Sequence, residues 1–184
     1  MSLVELIAQA DERGLAASGL ACLDRCVPLL GGDDEVLRPL WASLAETGSG
    51  GWGTALEQAR GKLEPGPVEE GSEGALLVRR MLDGAPAETS AAGLREWAHA
   101  CSVASLRIHQ LLDAAEDDTP VDARRQGRTE GMPPLAAAEL RRQATVLELL
   151  AAHGPSGLRR ALDVCTEGRR VLRAVVSRRA RGRA

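Results

Sequence analysis

The sequence lacks several of the residues that usually fill a β-sheet core. Its 184 residues include no Phe, no Tyr and no Asn, only two Ile, and three Trp as the sole aromatic residues. Strands favour Val, Ile, Thr, Tyr, Phe and Trp, whereas Ala, Leu, Glu and Arg, which are abundant here, favour helix. The composition therefore predicts an all-α fold.

Long apolar runs and a secretory signal are also missing. No stretch reaches the roughly 18–20 consecutive apolar residues that a membrane span needs, and no basic segment precedes an apolar run after Met1. The four cysteines, at positions 22, 26, 101 and 165, are too few for a disulfide scaffold. These absences predict a cytoplasmic protein whose partner is not a membrane.

The distribution of turn-forming residues predicts one compact helical domain over 1–184 with two sub-parts. Short helices are expected in 1–64 and long helices in 75–184, and the two parts are separated by an exposed loop at 64–74. A second exposed loop, rich in acidic and turn-forming residues, is expected at 117–134. The predicted architecture is an antiparallel bundle of the long helices, with the shorter N-terminal helices as a subdomain.

Helix-start and helix-stop residues divide the N-terminal part into its short helices. In chain order they are the capping box Ser2–Glu5, the stop at Gly14, the capping pair Asp33–Asp34 and the capping box Thr54–Glu57.

Apolar periodicity predicts the helices of the C-terminal part, at about 75–82, 87–116, 135–153 and 157–179. The clearest pattern is a heptad seam in the second of these helices, with apolar residues three and four positions apart. Its members are Leu94, Trp97, Cys101, Ala104, Ile108 and Leu111. Helices with such stripes need neighbours against which to bury them.

Histidine and carboxylate pairs are the candidates for a metal site. Glu96 and His99 share one helix face at a spacing found in di-iron bundles, but a second copy of that motif is missing. His109 and Asp113 form a second one-face pair that also lies off the seam. Both pairs are expected on the surface, and no cofactor is predicted.

The last 31 residues carry a strong positive charge. Residues 154–184 hold nine Arg against two acidic residues, a net charge of +7, so the chain's total of −3 leaves −10 on residues 1–153. Such asymmetry is typical of a surface that contacts an acidic protein or phosphates, although arginines near a helix C-terminus also complement the helix dipole. The candidate interaction residues are Arg169, Arg170, Arg173, Arg178 and Arg179.

Trp52 is a further candidate because glycines flank it. Large aromatic side chains are usually well buried, which favours a core anchor, but Trp is also enriched at binding hot spots. The sequence thus leaves an exposed contact residue as the alternative.

No nucleotide-binding loop, nucleophile elbow or zinc-protease motif is present in the sequence. The function predicted from the residues is a non-catalytic helical protein-interaction or regulatory module, whose partner is another protein or a second copy of itself. The alternatives are a bundle that binds a metal or small ligand, and a nucleic-acid accessory protein that uses the Arg-rich last helix.

Overall fold

The computed structural model describes residues 1–46, 50–63 and 72–182, and the regular structure in these ranges is helical. The α-helices are α1 (Leu3–Gln9), α2 (Glu12–Cys26), α3 (Arg38–Ala45), α4 (Trp52–Lys62), α5 (Glu73–Asp83), α6 (Ala91–Leu112), α7 (Val121–Arg125), α8 (Pro134–His153) and α9 (Leu158–Gly182). Short 3-10 turns follow α2 at Val27–Leu30 and α8 at Gly154–Gly157. No strand occurs in the described ranges, and the predicted all-α fold is confirmed.

Helix α2 lies at the centre of the fold. Every residue from Gly14 to Cys26 is buried, and α2 packs against α6, α8 and α9. A helix with neighbours on all sides needs small residues where they approach closely, and Gly19 is such a residue. A Cβ atom at Gly19 would lie 2.6 Å from Cε3 of Trp97, so only glycine lets α6 pack this closely.

The long helices form the predicted antiparallel bundle. α8 and α9 pack as a hairpin across the turn Gly154–Gly157, and α5 and α6 pack as a second hairpin across 84–90. The core is one hydrophobic cluster that reaches from Leu3 to Cys165. Five of the six predicted seam residues of α6 are buried, and the sixth, Leu111, is half-buried.

The helix starts in the N-terminal part differ from the prediction in three places. The capping box of α1 is confirmed, but Gly14 lies inside the first turn of α2, where its N–H donates to Asp11 Oδ1 at 2.7 Å. Asp33–Asp34 do not cap α3, which begins at Arg38 with a proline in its first turn. α4 begins at Trp52, ahead of the expected box at Thr54–Glu57, because Gly51 adopts a positive φ of 98° and starts the helix there.

The loop prediction for 117–134 also needs correction. This segment contains α7, and its residues Arg124 and Arg125 are 4% and 5% exposed. Arg124 donates to Asp117 Oδ1 at 2.7 Å, and this hydrogen bond lowers the pKa of Asp117 to about 2. Of the other predicted loop, 64–71 lies outside the described residues, and Ser72 already caps α5.

Across the described ranges, none of the helices combines the length and the apolar character that crossing a bilayer requires.

Candidate functional site

A fully buried ion pair joins α2 to α8. Arg25 donates from Nη2 to Glu139 Oε1 at 2.6 Å and from Nε to Oε2 at 2.8 Å, and both side chains are 0% exposed. Two parallel hydrogen bonds are the strongest geometry available to an arginine and a carboxylate. Burial opposes ionisation of Glu139, but the Arg25 charge and the hydrogen bonds outweigh it and lower the pKa of Glu139 to about 2. Both members of the pair are therefore charged.

Side chains of α6, α7 and α8 extend this pair into a continuous network. Ser105 Oγ donates to Glu139 Oε1 at 2.7 Å, and Gln143 Nε2 donates to the same oxygen at 2.9 Å. Ser102 Oγ in turn donates to Gln143 Oε1 at 2.7 Å and accepts from Arg125 Nε at 2.9 Å. The network thus links four helices through partners that are almost completely removed from water.

His109 is the titratable member of this network. Its Nδ1 lies 2.7 Å from the carbonyl oxygen of Ser105, so Nδ1 carries the proton of the neutral ring. Nε2 then has no proton to donate, which agrees with its longer distance of 3.6 Å from Glu139 Oε2. Burial lowers the pKa of His109 and outweighs the opposite effect of Glu139. His109 is thus neutral at neutral pH.

Three cysteines surround the buried ion pair as thiols. Arg25 donates from Nη1 to Cys165 Sγ at 3.6 Å and from Nη2 to Cys22 Sγ at 3.7 Å, and Cys26 Sγ lies 3.5 Å from Ser105 Oγ. Burial raises the pKa of Cys22 and Cys165 to about 12 despite the nearby guanidinium. A buried thiol with a raised pKa is a poor nucleophile, so these cysteines serve packing and hydrogen bonding.

Two of the candidate interaction arginines of α9 bind within the chain itself. Arg169 is buried and forms an ion pair with Asp24, a carboxylate that also accepts from Trp41 Nε1 at 2.7 Å. Arg173 pairs with Asp34 at 2.7 Å. The basic helix therefore docks on acidic residues of the N-terminal part.

The other interaction candidates have different environments. Arg170 is exposed, Arg178 donates to the Ala174 carbonyl of its own helix at 3.3 Å, and Arg179 donates to the Asp113 carbonyl at 3.2 Å. Trp52 is a core residue that is 2% exposed; its Nε1 donates to the Pro86 carbonyl at 2.8 Å. This buried position agrees with the prediction of a core anchor and leaves little of the indole ring accessible to a partner.

The structure does not bring the metal candidates together. No cluster of three or more His, Cys, Asp or Glu that could hold a metal ion occurs in the described part of the chain. Glu96 is exposed and His99 is half-buried beside Arg125. Asp113 instead caps α8, accepting at Oδ2 from the backbone of Leu135 at 2.8 Å. The predicted surface position of His109 is wrong, because its side chain is 1% exposed and lies beside Glu139.

A mostly apolar groove lies between α5 and α6. Its volume is about 780 Å³, and its lining is mostly apolar. We call its larger apolar lining residues the floor: Leu77 and Met81 from α5, and Trp97, Ala100, Val103 and Ala104 from α6. We call its polar lining residues the rim: Arg80, Glu96, His99 and Arg107. On α5, Leu76 precedes the lining residue Leu77 and exposes 55% of its surface.

His99 connects the rim of the groove to the buried network. Arg125 Nη2 lies 2.7 Å from His99 Nδ1. A guanidinium only donates, so this ring nitrogen accepts, and the proton of the neutral ring is on Nε2. Burial, Arg125 and Arg95 all lower the pKa of His99. The groove therefore borders on a neutral imidazole whose orientation the network fixes.

Sequence reasoning missed the centre of the network, although a signal was present. The buried positions of α8 are Ala136, Glu139, Gln143, Val146, Leu147 and Leu150. Glu139 and Gln143 therefore occupy the three- and four-residue spacing of an apolar seam. Polar residues at seam positions indicate a buried hydrogen-bonded network, because an unpaired polar group there would be costly. No comparable sequence pattern marks its partner Arg25, because α2 is buried on all sides and so its buried residues follow no seam spacing.

Comparisons with protein-family profiles, curated proteins and solved structures found no significant match to this chain.

Proposed function

We propose that this protein is a helical protein-interaction module whose binding surface is the groove between α5 and α6. The observation that carries the proposal is the groove itself, which has a volume of about 780 Å³, a mostly apolar lining and an opening to solvent. Exposed apolar concavities of this kind with a polar rim are typical of interaction surfaces.

The shape of the groove favours a helix as the bound element. It follows α6 from Gly93 to Arg107, which at 1.5 Å per residue is about 21 Å, or roughly four helical turns. Ala100, Val103 and Ala104 are small, so the backbone of a bound helix could approach α6 closely. Amphipathic helices commonly bind in such grooves through residues three and four positions apart.

The buried network supports a structural role rather than catalysis. Arg25 and Glu139 are fully buried and bind each other, so neither side chain reaches a substrate from solvent. The thiols beside them have raised pKa values. The network holds α2, α6, α7 and α8 in one arrangement and so fixes α6, which contributes most of the groove floor.

Site-specific photo-crosslinking in cells tests the proposal. Leu76 is replaced by p-benzoylphenylalanine, which places a photo-reactive ketone next to the lining residue Leu77. We expect a covalent protein adduct that disappears when Ala100→Glu puts a charge on the floor. Ala100 is exposed, so this change should leave the fold intact, as circular dichroism would verify.

The matched control carries the same photo-reactive residue at Ala174, an exposed position on α9. The proposal is wrong if the adduct forms equally from both positions, or if the Leu76 adduct survives Ala100→Glu.

A further inference from the structure

We infer that the partner in the groove is a second copy of this chain, bound by two-fold packing of the α5–α6 hairpins. This inference rests on the proposed function of the groove as a binding surface. In such a dimer, α5 of each copy lies over α6 of the other copy, so that the two hairpins make a four-helix arrangement.

The apolar part of the surface is self-complementary. Among the described residues, Met1 and Leu76 are the large hydrophobic side chains that remain exposed. Leu76 lies on α5 one helical turn before Arg80, which lines the groove. A two-fold axis parallel to the helices brings Leu76 of each copy to the α6 side of the other copy. In the register of α5 and α6 it then lies level with Ala104, an apolar lining residue.

The charges on the rim are self-complementary as well. The α5 rim carries Arg80 and the α6 rim carries Glu96, and neither residue forms an ion pair with any described residue. A rotation of 180° about an axis parallel to the two helices places the α5 rim of one copy against the α6 rim of the other. Arg80 then faces Glu96 of the second copy, and the same contact occurs twice.

The position of the two residues along the helices permits this contact. The hydrogen bond from Arg107 Nε to Glu73 Oε1, at 3.2 Å, fixes the antiparallel register of α5 and α6. In that register Arg80 is level with the stretch of α6 near Ala100, about one turn, or roughly 5.4 Å, from Glu96. An arginine and a glutamate side chain can together span that offset. A rim with charges of only one sign would repel its own copy instead.

Sedimentation velocity on the full-length chain and on charge-reversal variants tests the inference. We expect the wild-type chain to form a dimer at about 0.1 mM protein or below. Arg80→Glu and Glu96→Arg alone should each weaken the dimer by roughly tenfold or more, because each single reversal places like charges opposite one another at two sites. The double variant R80E/E96R should return to within roughly threefold of the wild-type affinity, because it restores opposite charges.

Two further variants complete the design. Val103→Glu puts a charge on the floor of the groove and should abolish the dimer. Glu148→Arg, an exposed charge reversal on α8, should leave it unchanged.

The outcomes separate the inference from the proposed function. A dimer that ignores Val103→Glu and both single reversals would overturn the inference, because the copies then meet elsewhere. A monomer whose Leu76 position crosslinks to a different protein would also overturn it, but would leave the groove as an interaction surface. A monomer without any groove-dependent crosslink would overturn both.

Discussion

The two sides of α6 differ in a way that is the reverse of most globular folds: the side that faces the interior carries polar residues, and the side that faces the groove carries apolar ones. Towards the centre of the molecule α6 presents Ser102, Ser105 and His109, which are buried in hydrogen bonds. Towards the groove it presents Ala100 and Val103, which are apolar and reach solvent. An apolar core tolerates many packings, whereas a buried polar network is satisfied in few arrangements. We interpret the inner side as the one that fixes the arrangement of the helices, and the outer side as the one that binds a partner.

The largest expected effect comes from breaking the ion pair on the inner side. Glu139→Ala leaves the Arg25 charge buried without its partner, which should lower the free energy of unfolding by about 3–5 kcal/mol. Urea denaturation measures this change. The control is Glu148→Ala, an exposed glutamate of the same helix, for which we expect a change within about 0.5 kcal/mol. Equal effects of the two substitutions would show that the inner pair does not fix the fold.

A pair of neighbouring residues on α6 sharpens the comparison. Ser102→Ala removes the hydroxyl that donates to Gln143 and accepts from Arg125, and should cost about 1–3 kcal/mol of stability. Val103→Ser makes the adjacent residue on the groove side more polar and should cost about 0.5 kcal/mol or less. Thermal or urea unfolding of the two variants measures the difference. If Val103→Ser proves the more destabilising, the outer side belongs to the core rather than to a binding surface.

Close packing of α9 on Arg25 gives the next effect. A Cβ atom at Gly168 would lie 2.4 Å from Cδ of Arg25, and the guanidinium cannot move aside because Glu139 holds it. Gly168→Ala should therefore destabilise the protein by about 1–3 kcal/mol through overpacking. Gly61 is the matched control, because a Cβ atom there meets nothing within 4 Å. Gly61→Ala should be neutral or stabilise by up to about 1 kcal/mol through helix propensity; a loss of stability as large as that of Gly168→Ala would refute the packing explanation.

Much of the fold could be predicted from the sequence because its helices carry strong local signals. The capping box at Ser2–Glu5 is confirmed, and so is the helix end predicted at 153, because both depend on residues within one turn of the chain. The starts of α3 and α4 could not be predicted in the same way. There a proline in the first turn and the positive φ of Gly51 decide where the helix begins, and both compete with side chains that resemble caps.

The inner network could be predicted less well because its members are far apart in sequence. Arg25 and Glu139 are separated by 114 positions, and no local pattern states that their helices meet. The rule that only apolar residues face the core predicts a surface position for His109, whose side chain is buried. Polar residues at seam spacing also face the core, and this pattern marks Glu139 and Gln143. The groove could not be predicted, because it exists only where the neighbouring elements leave one side of α6 uncovered. No local pattern in the sequence states which side that is.

The smallest expected effect is a dependence of stability on pH that originates in the inner side. Unfolded His109 binds a proton near its ordinary pKa of 6.5, whereas burial lowers its pKa in the folded state. The unfolded state therefore binds more protons as the pH falls from about 7 to about 5, and the free energy of unfolding should decrease by at most about 1.4 kcal/mol per pH unit. His109→Gln should flatten this slope, as urea denaturation at several pH values would measure. His99→Gln should flatten this slope less, because the half-buried ring of His99 also has a lowered pKa but lies nearer to solvent.

Below about pH 4.5 both variants should still lose stability, because the pKa of Glu139 is about 2 in the folded state and 4.5 in the unfolded state. A slope unchanged by His109→Gln would mean that the pKa of His109 is the same in the folded and unfolded states, so that Glu139 fully offsets the burial of the imidazole.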